Sequence, residues 1–244
     1  MFKFFIILIF SSVVHTNPLE IIGGHDADIS KYPWIASLQY QGNHLCGATL
    51  ISSKWALTSG DCTQDINVLE ELTIRLGTNN ISSAGQIIHI ANYFSHPKFN
   101  TLNNDMDVGL LKLETEVNNV TFATITNATD IVPVGSNVTV LGWGGKGDSI
   151  GPTEILQETE LTVFDYEYCN KTKTPYFTEN MFCASGIETP AGTCNYDSGG
   201  PVLLDGVIVG IITDGRGPCA DATSPDMFVK LANAREFITS YTGI

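Results

Sequence analysis

The chain has 244 residues, six cysteines and a formal net charge of −14. So acidic a molecule repels nucleic acid, heparin-like polymers and anionic membranes, which excludes those partners. Its length is enough to bury a large core in one domain or in two packed halves. The chain opens with one Lys, an apolar run from Phe4 to Phe10 and the small-residue stretch Ser11–Thr16. That is the pattern of a signal peptide over residues 1–16, and the run is too short to span a bilayer. No later stretch reads as a membrane anchor.

After it come short strand-like segments. Ile35–Tyr40 alternates loosely, and Ala48–Ile51 reads as a short strand. Glu71–Leu76 alternates polar and apolar as a half-buried strand does. Val138–Leu141 and Val207–Ile212 are β-branched runs bounded by Gly and Pro. Only the C-terminus reads as a helix, with Leu231, Ala234, Phe237, Ile238 and Tyr241 on one apolar face. Many short strands and one terminal helix predict an all-β chain, built as a sandwich or as barrels.

An even cysteine count in a secreted chain implies disulfides, although spacing alone leaves the pairing open. No C-x-x-C or close His pair supports zinc, and neither metal nor cofactor is expected. Sequons at Asn80, Asn119, Asn127, Asn137 and Asn170 fit a secreted chain with glycans on surface loops.

Two stretches carry the chemistry. One is Cys194-Asn195-Tyr196-Asp197-Ser198-Gly199-Gly200-Pro201, and the other is Trp55 to Cys62. With Ile21-Ile22-Gly23-Gly24, Tyr32-Pro33-Trp34, Asp107 to Leu113, Gly142-Trp143-Gly144 and Met181 to Ala184 they recur in one family's order. The chain resembles the chymotrypsin-like serine proteases over its whole mature length. The resemblance implies two six-stranded antiparallel β-barrels, over residues 21–120 and 121–230, and a C-terminal helix over 231–242. It implies a short propeptide at 17–20, cut so that a new Ile21 ammonium pairs with Asp197. It also implies the disulfides Cys46–Cys62, Cys169–Cys183 and Cys194–Cys219. The family's calcium loop falls at Gly77–Gln86, which holds no carboxylate, so no calcium is expected there.

Acyl transfer needs a nucleophile, a base and an oxyanion site. The resemblance makes Ser198 the nucleophile and Asp107 the orienting carboxylate. At the base position, where the family has histidine, stands Asp61. A carboxylate is a weaker base than imidazole and has no second ring nitrogen to engage Asp107. Two carboxylates there should raise the pKa of one of them. Tyr196 stands where the family has an oxyanion glycine, and a side chain resists the backbone angles glycine permits. In the substrate pocket Gly192 stands where trypsin-like members carry Asp, and Asp226 where Gly is usual. Thr213-Asp214-Gly215 replaces Ser-Trp-Gly and its apolar wall. Glu20 precedes the cut in place of a basic residue.

These departures lead to the expectation of a secreted serine protease homologue that is not an enzyme and acts by binding. The chain is also similar to the inactivated protease paralogues of parasitic mites, related to group 3 mite allergens. That likeness implies host plasma or complement proteins as partners. The alternatives are residual or rearranged endopeptidase activity, or a structural or digestive protein that only retains the fold.

Overall fold

A computed structural model describes residues 22–64, 66–145, 147, 150–187, 190–213, 218–221 and 223–244. The signal segment 1–16, the propeptide 17–20, Ile21, Asp214 and Gly215 lie outside the described residues. Two closed β-barrels stand side by side.

The first barrel contains β2 (Ile35–Tyr40), β3 (Asn43–Leu50), β4 (Trp55–Thr58), β5 (Leu72–Leu76), β6 (Gln86–Ser95) and β7 (Gly109–Leu113). They close in the order β2-β3-β4-β7-β6-β5. The second contains β8 (Asn137–Gly142), β9 (Gln157–Val163), β10 (Met181–Ser185), β11 (Pro201–Leu204), β12 (Val207–Ile212) and β13 (Asp226–Lys230). It runs β9-β10-β13-β12-β11-β8, and the β8–β9 pairing closes it. The N-terminal β1 (His25–Asp26) pairs with the edge of β9.

Alternation explains the closure. Leu72, Ile74 and Leu76 turn inward with Leu38, Ala48, Leu50, Ala56 and Leu111 to fill the first barrel. Val138, Val140, Val202, Ile212 and Phe228 fill the second. Trp143 is almost fully buried, and its indole N–H donates to the Asn79 carbonyl at 2.7 Å, tying the second half to the first. The three disulfides are Cys46–Cys62, Cys169–Cys183 and Cys194–Cys219.

The C-terminal segment begins as a 3-10 turn at Leu231–Ala234 and becomes helical as α2 (Arg235–Thr242). Gly243, at φ 75°, ends it in the left-handed conformation a C-cap needs. Phe237 and Ile238 are buried. Tyr241 is half-exposed and stacks on Phe94 with ring centroids 4.5 Å apart, so the helix straps the chain's end onto the first barrel.

A second helix, α1 (Tyr166–Lys173), was not expected from the sequence. Asp165 caps it by accepting from the Tyr168 N–H. Its eight residues bury only Cys169 and Lys173, so no apolar stripe announces it. The sequon residues Asn119, Asn127, Asn137 and Asn170 are exposed. Asn80 is half-buried, and its side-chain oxygen accepts from Ser82 and Ser83.

Candidate active site

Strand pairing brings the site together. β4 and β7 pair with Thr58 opposite Gly109, which puts the turn after β4 and the loop before β7 at one barrel end. Asp61 sits in that turn and Asp107 in that loop. β11 and β12 pair with Pro201 opposite Ile211, which places Ser198 beside Thr213. The two ends meet where Gly47 N–H donates to the Ser198 carbonyl at 2.8 Å. A Cβ on Gly47 would lie 2.6 Å from the Gly200 Cα, so the barrels touch there through backbone alone.

Asp107 is fully buried. One of its oxygens accepts the Asp61 backbone N–H at 2.8 Å, and the other accepts the Thr213 hydroxyl at 2.6 Å. Burial pushes its carboxyl up to about 7, against these hydrogen bonds, and the Asp61 charge pushes the same way. The expected conflict between two carboxylates therefore falls on Asp107, although burial is its larger cause. The Asp61 side chain is exposed and accepts from Gln64 at 2.9 Å. Asp107 thus orients the Asp61 backbone rather than a ring.

Asp197 is buried beneath the nucleophile loop. Its oxygens accept the N–H groups of Gly144 (2.7 Å) and Cys194 (2.8 Å). Burial pushes this carboxyl up to about 7 as well. A Cβ on Gly142 or Gly144 would collide with it, which accounts for glycine on both sides of Trp143.

Tyr196 takes the glycine-like conformation despite its side chain, with φ 77°. Its carbonyl is held at 3.0 Å by His44 Nε2, and His44 Nδ1 lies 2.8 Å from the Ser37 hydroxyl. A carbonyl only accepts, so Nε2 carries the proton and Nδ1 accepts from Ser37. Burial lowers the His44 pKa to about 4, so the ring is neutral at physiological pH. From sequence His44 reads as a structural or surface histidine. It is structural, and it fixes the very residue that departs from the family pattern.

Asp61, Tyr196, Ser198, Thr213 and Asp226 line one cavity of about 410 Å³, with the Cys46–Cys62 and Cys194–Cys219 bridges in its walls. A Cβ on Gly192 would lie 2.7 Å from the Asp226 carboxylate. Asp226 therefore fills the space that a side chain at 192 would take. Its Oδ2 accepts the Thr193 N–H at 2.6 Å. Burial raises its carboxyl to about 6, with the Lys173 charge acting in the opposite direction.

Comparison with known proteins decides the family. Residues 21–238 match the description "Trypsin". The chain belongs to the trypsin family. It is 35% identical to a trypsin of Phaedon cochleariae, covering 95% of this chain and 92% of that one. It is 29% identical to human kallikrein-4, over 93% and 89% of the two chains. Human heparin binding protein shares the fold at TM-score 0.81 with 26% identity, over 91% of this chain and 97% of that one. Mouse brain neuropsin, described as a serine protease, matches at TM-score 0.82 with 27% identity, over 90% and 99%. The expectation that the chain is not an enzyme is corrected by these relatives. Trypsins and a kallikrein are among its relatives, so its trypsin-family membership points to an enzyme.

Proposed function

We propose that this trypsin-family protein is a secreted serine endopeptidase of slow turnover, with Ser198 as nucleophile and the Asp61 carboxylate standing in the base's place. The observation that carries the reading is that Asp61 and Ser198 face the same cavity, with Asp226 buried in its wall. In the acylation step the Ser198 oxygen attacks the scissile carbonyl carbon, and its proton passes to Asp61 directly or through one water. The proton then goes to the leaving amine as the C–N bond breaks. A carboxylate takes that proton reluctantly, and loss of a triad member costs about 10⁴- to 10⁶-fold in turnover. Oxyanion and binding contributions still leave about 10³-fold or more over water. The test is prolonged labelling by a fluorophosphonate, with peptide-ester hydrolysis, for the chain beginning at Ile21 and its Ser198→Ala variant. Labelling and hydrolysis that depend on Ser198 support the reading. Identical traces for the two proteins refute it.

A second reading follows from slow turnover, because a cleft that holds peptide longer than it cleaves it also competes for its target. Heparin binding protein, a structural neighbour, is named for what it binds. At −14 the present chain is unsuited to heparin itself. The resemblance to the mite paralogues supports host plasma or complement proteins as partners. Haemolytic assays of each complement pathway with glycosylated protein test it, and no effect at micromolar protein counts against it. Secretion and glycans belong to the same proposal, supported by the signal-like N-terminus, the three disulfides and the exposed sequons.

A further inference from the structure

Three buried polar side chains of the first barrel stand in line: Gln39 and Ser37 on one face of β2, and His44 on β3. The Gln39 side-chain nitrogen lies 2.8 Å from the Ile81 carbonyl and 3.2 Å from the Ser37 hydroxyl. A carbonyl only accepts, so the Gln39 amide gives one hydrogen to Ile81 and the other to the Ser37 oxygen. Ser37 turns its own hydrogen to His44 Nδ1 at 2.8 Å, and the His44 Nε2–H goes to the Tyr196 carbonyl at 3.0 Å. From Gln39 onward every hydrogen points toward the nucleophile loop. The Ile81 end is fixed in turn, its N–H donating to the Glu154 carbonyl at 3.0 Å.

The line ends on a strained residue. Tyr196 has φ 77°, a conformation that a side-chain-bearing residue takes about five- to thirtyfold less readily. Its ring is 39% exposed, so side-chain packing does not pin it. The peptide planes on either side do. The Gly145 N–H donates to the Asn195 carbonyl at 2.9 Å, and His44 holds the Tyr196 carbonyl. Tyr196 and Ser198 both line the cavity, and among the described residues no group accepts either backbone N–H. Two uncommitted donors beside a nucleophile are what an oxyanion requires.

We infer that Gln39 is a positioning residue for the oxyanion site: it orients the Ser37 hydroxyl toward His44, which keeps the ring's proton on Nε2 and so holds a tyrosine in a backbone conformation suited to glycine. The oxyanion role rests on the proposed reading that Ser198 is the nucleophile. Without the Gln39 donor, the Ser37 hydroxyl is free to turn a lone pair to the ring, which can then carry its proton on Nδ1. Nε2 and the Tyr196 carbonyl would face each other as two acceptors, and the strained peptide would turn away. At a glycine the same angles are unstrained, so the line becomes dispensable.

Nitrogen NMR spectra of the chain beginning at Ile21 read the His44 ring, and the amide signal at position 196 reads the backbone. In the wild-type protein at neutral pH, His44 should carry its proton on Nε2, and the amide at 196 should give one signal. Gln39→Met, similar in volume but without a donor, should add a population of His44 protonated on Nδ1 and double or broaden the amide at 196. It should also slow fluorophosphonate labelling of Ser198 about tenfold. In a Tyr196→Gly background the same substitution should leave one amide signal and keep labelling within about twofold. A merely structural role would disturb both backgrounds equally, and that result would overturn the inference. So would a wild-type His44 protonated on Nδ1, an observation that needs no variant to fold. The expected spectra with no labelling of any protein sink the endopeptidase reading alone. Ser198-dependent labelling, with spectra that Gln39→Met leaves unchanged, sinks this inference alone.

Discussion

Asp107→Asn isolates what it costs to ionise the carboxyl buried between the two barrels beside Asp61. Asp107 rises from an ordinary 3.8 to about 7 because it is buried, with Asp61 adding to the shift. Between those values the folded chain keeps a proton that the unfolded chain releases. Stability from this group is fully present below about pH 4 and is lost as pH rises through about 7. The slope is about 1.4 kcal/mol per pH unit, so the whole window amounts to about 4 kcal/mol at most. Asn is shaped like the protonated acid. Its oxygen can accept the Asp61 N–H, and its NH₂ can donate to the Thr213 hydroxyl, which rotates to receive it. Asp197 and Asp226 are shifted in the same direction and His44 oppositely, but all three are common to both proteins and cancel in the difference. Urea unfolding at steps from pH 4 to pH 8 measures it. The variant should match the wild type near pH 4 and exceed it by a few kcal/mol at pH 8. Parallel profiles, or a variant weaker at pH 8, would show that Asp107 ionises normally and that the reasoning is wrong.

The other predictions concern the scaffold. Tyr196→Gly removes a side chain from a φ of 77°, and should change stability by no more than about 1 kcal/mol because relief of strain is offset by glycine's unfolded-state freedom; urea midpoints measure it. Gly47→Ala pushes a methyl against the Gly200 backbone and should cost about 3 kcal/mol, seen as a lower urea midpoint and lost exchange protection at the Gly47 amide. Phe237→Ala empties the contact of α2 with the His96 ring, 5.0 Å away between centroids, and should cost about 3–5 kcal/mol by thermal or urea unfolding.

Much of the fold was legible because its periods are short and local. Val207–Ile212 needed only its β-branched run and flanking turns, and the strand has those bounds. Leu231, Ala234, Phe237 and Ile238 declared their face by spacing, and all four are buried. Ala48–Ile51 marked only the end of a strand that begins at Asn43, because the polar Asn43 and His44 conceal its start. The helix at Tyr166–Lys173 stayed hidden for a related reason. Its buried residues are a cysteine and a lysine, which propensity and hydropathy do not assign to a core. Tyr241 was expected on the buried face, yet it caps an aromatic surface cluster with Trp55 and Phe94.

At the site, single-residue departures were readable and their consequences were not. Asp61 could be named from its place before Cys62, but which carboxylate would bear the strained proton depended on burial. Asp107 is enclosed by the end of the first barrel and by Thr213 from the second, whereas the Asp61 side chain reaches solvent. Tyr196 could be named as out of place, but its backbone angle is decided elsewhere, by a histidine 152 residues away in sequence that grips its carbonyl. Gly192 and Asp226 read as a displaced charge. The structure adds why they come as a pair, since the carboxylate occupies the volume a side chain at 192 would need. At Asp61, at Tyr196 and at the Gly192–Asp226 pair the sequence names the residue that differs, and the folded environment decides which protonation state, which backbone angle and which occupied volume that difference produces.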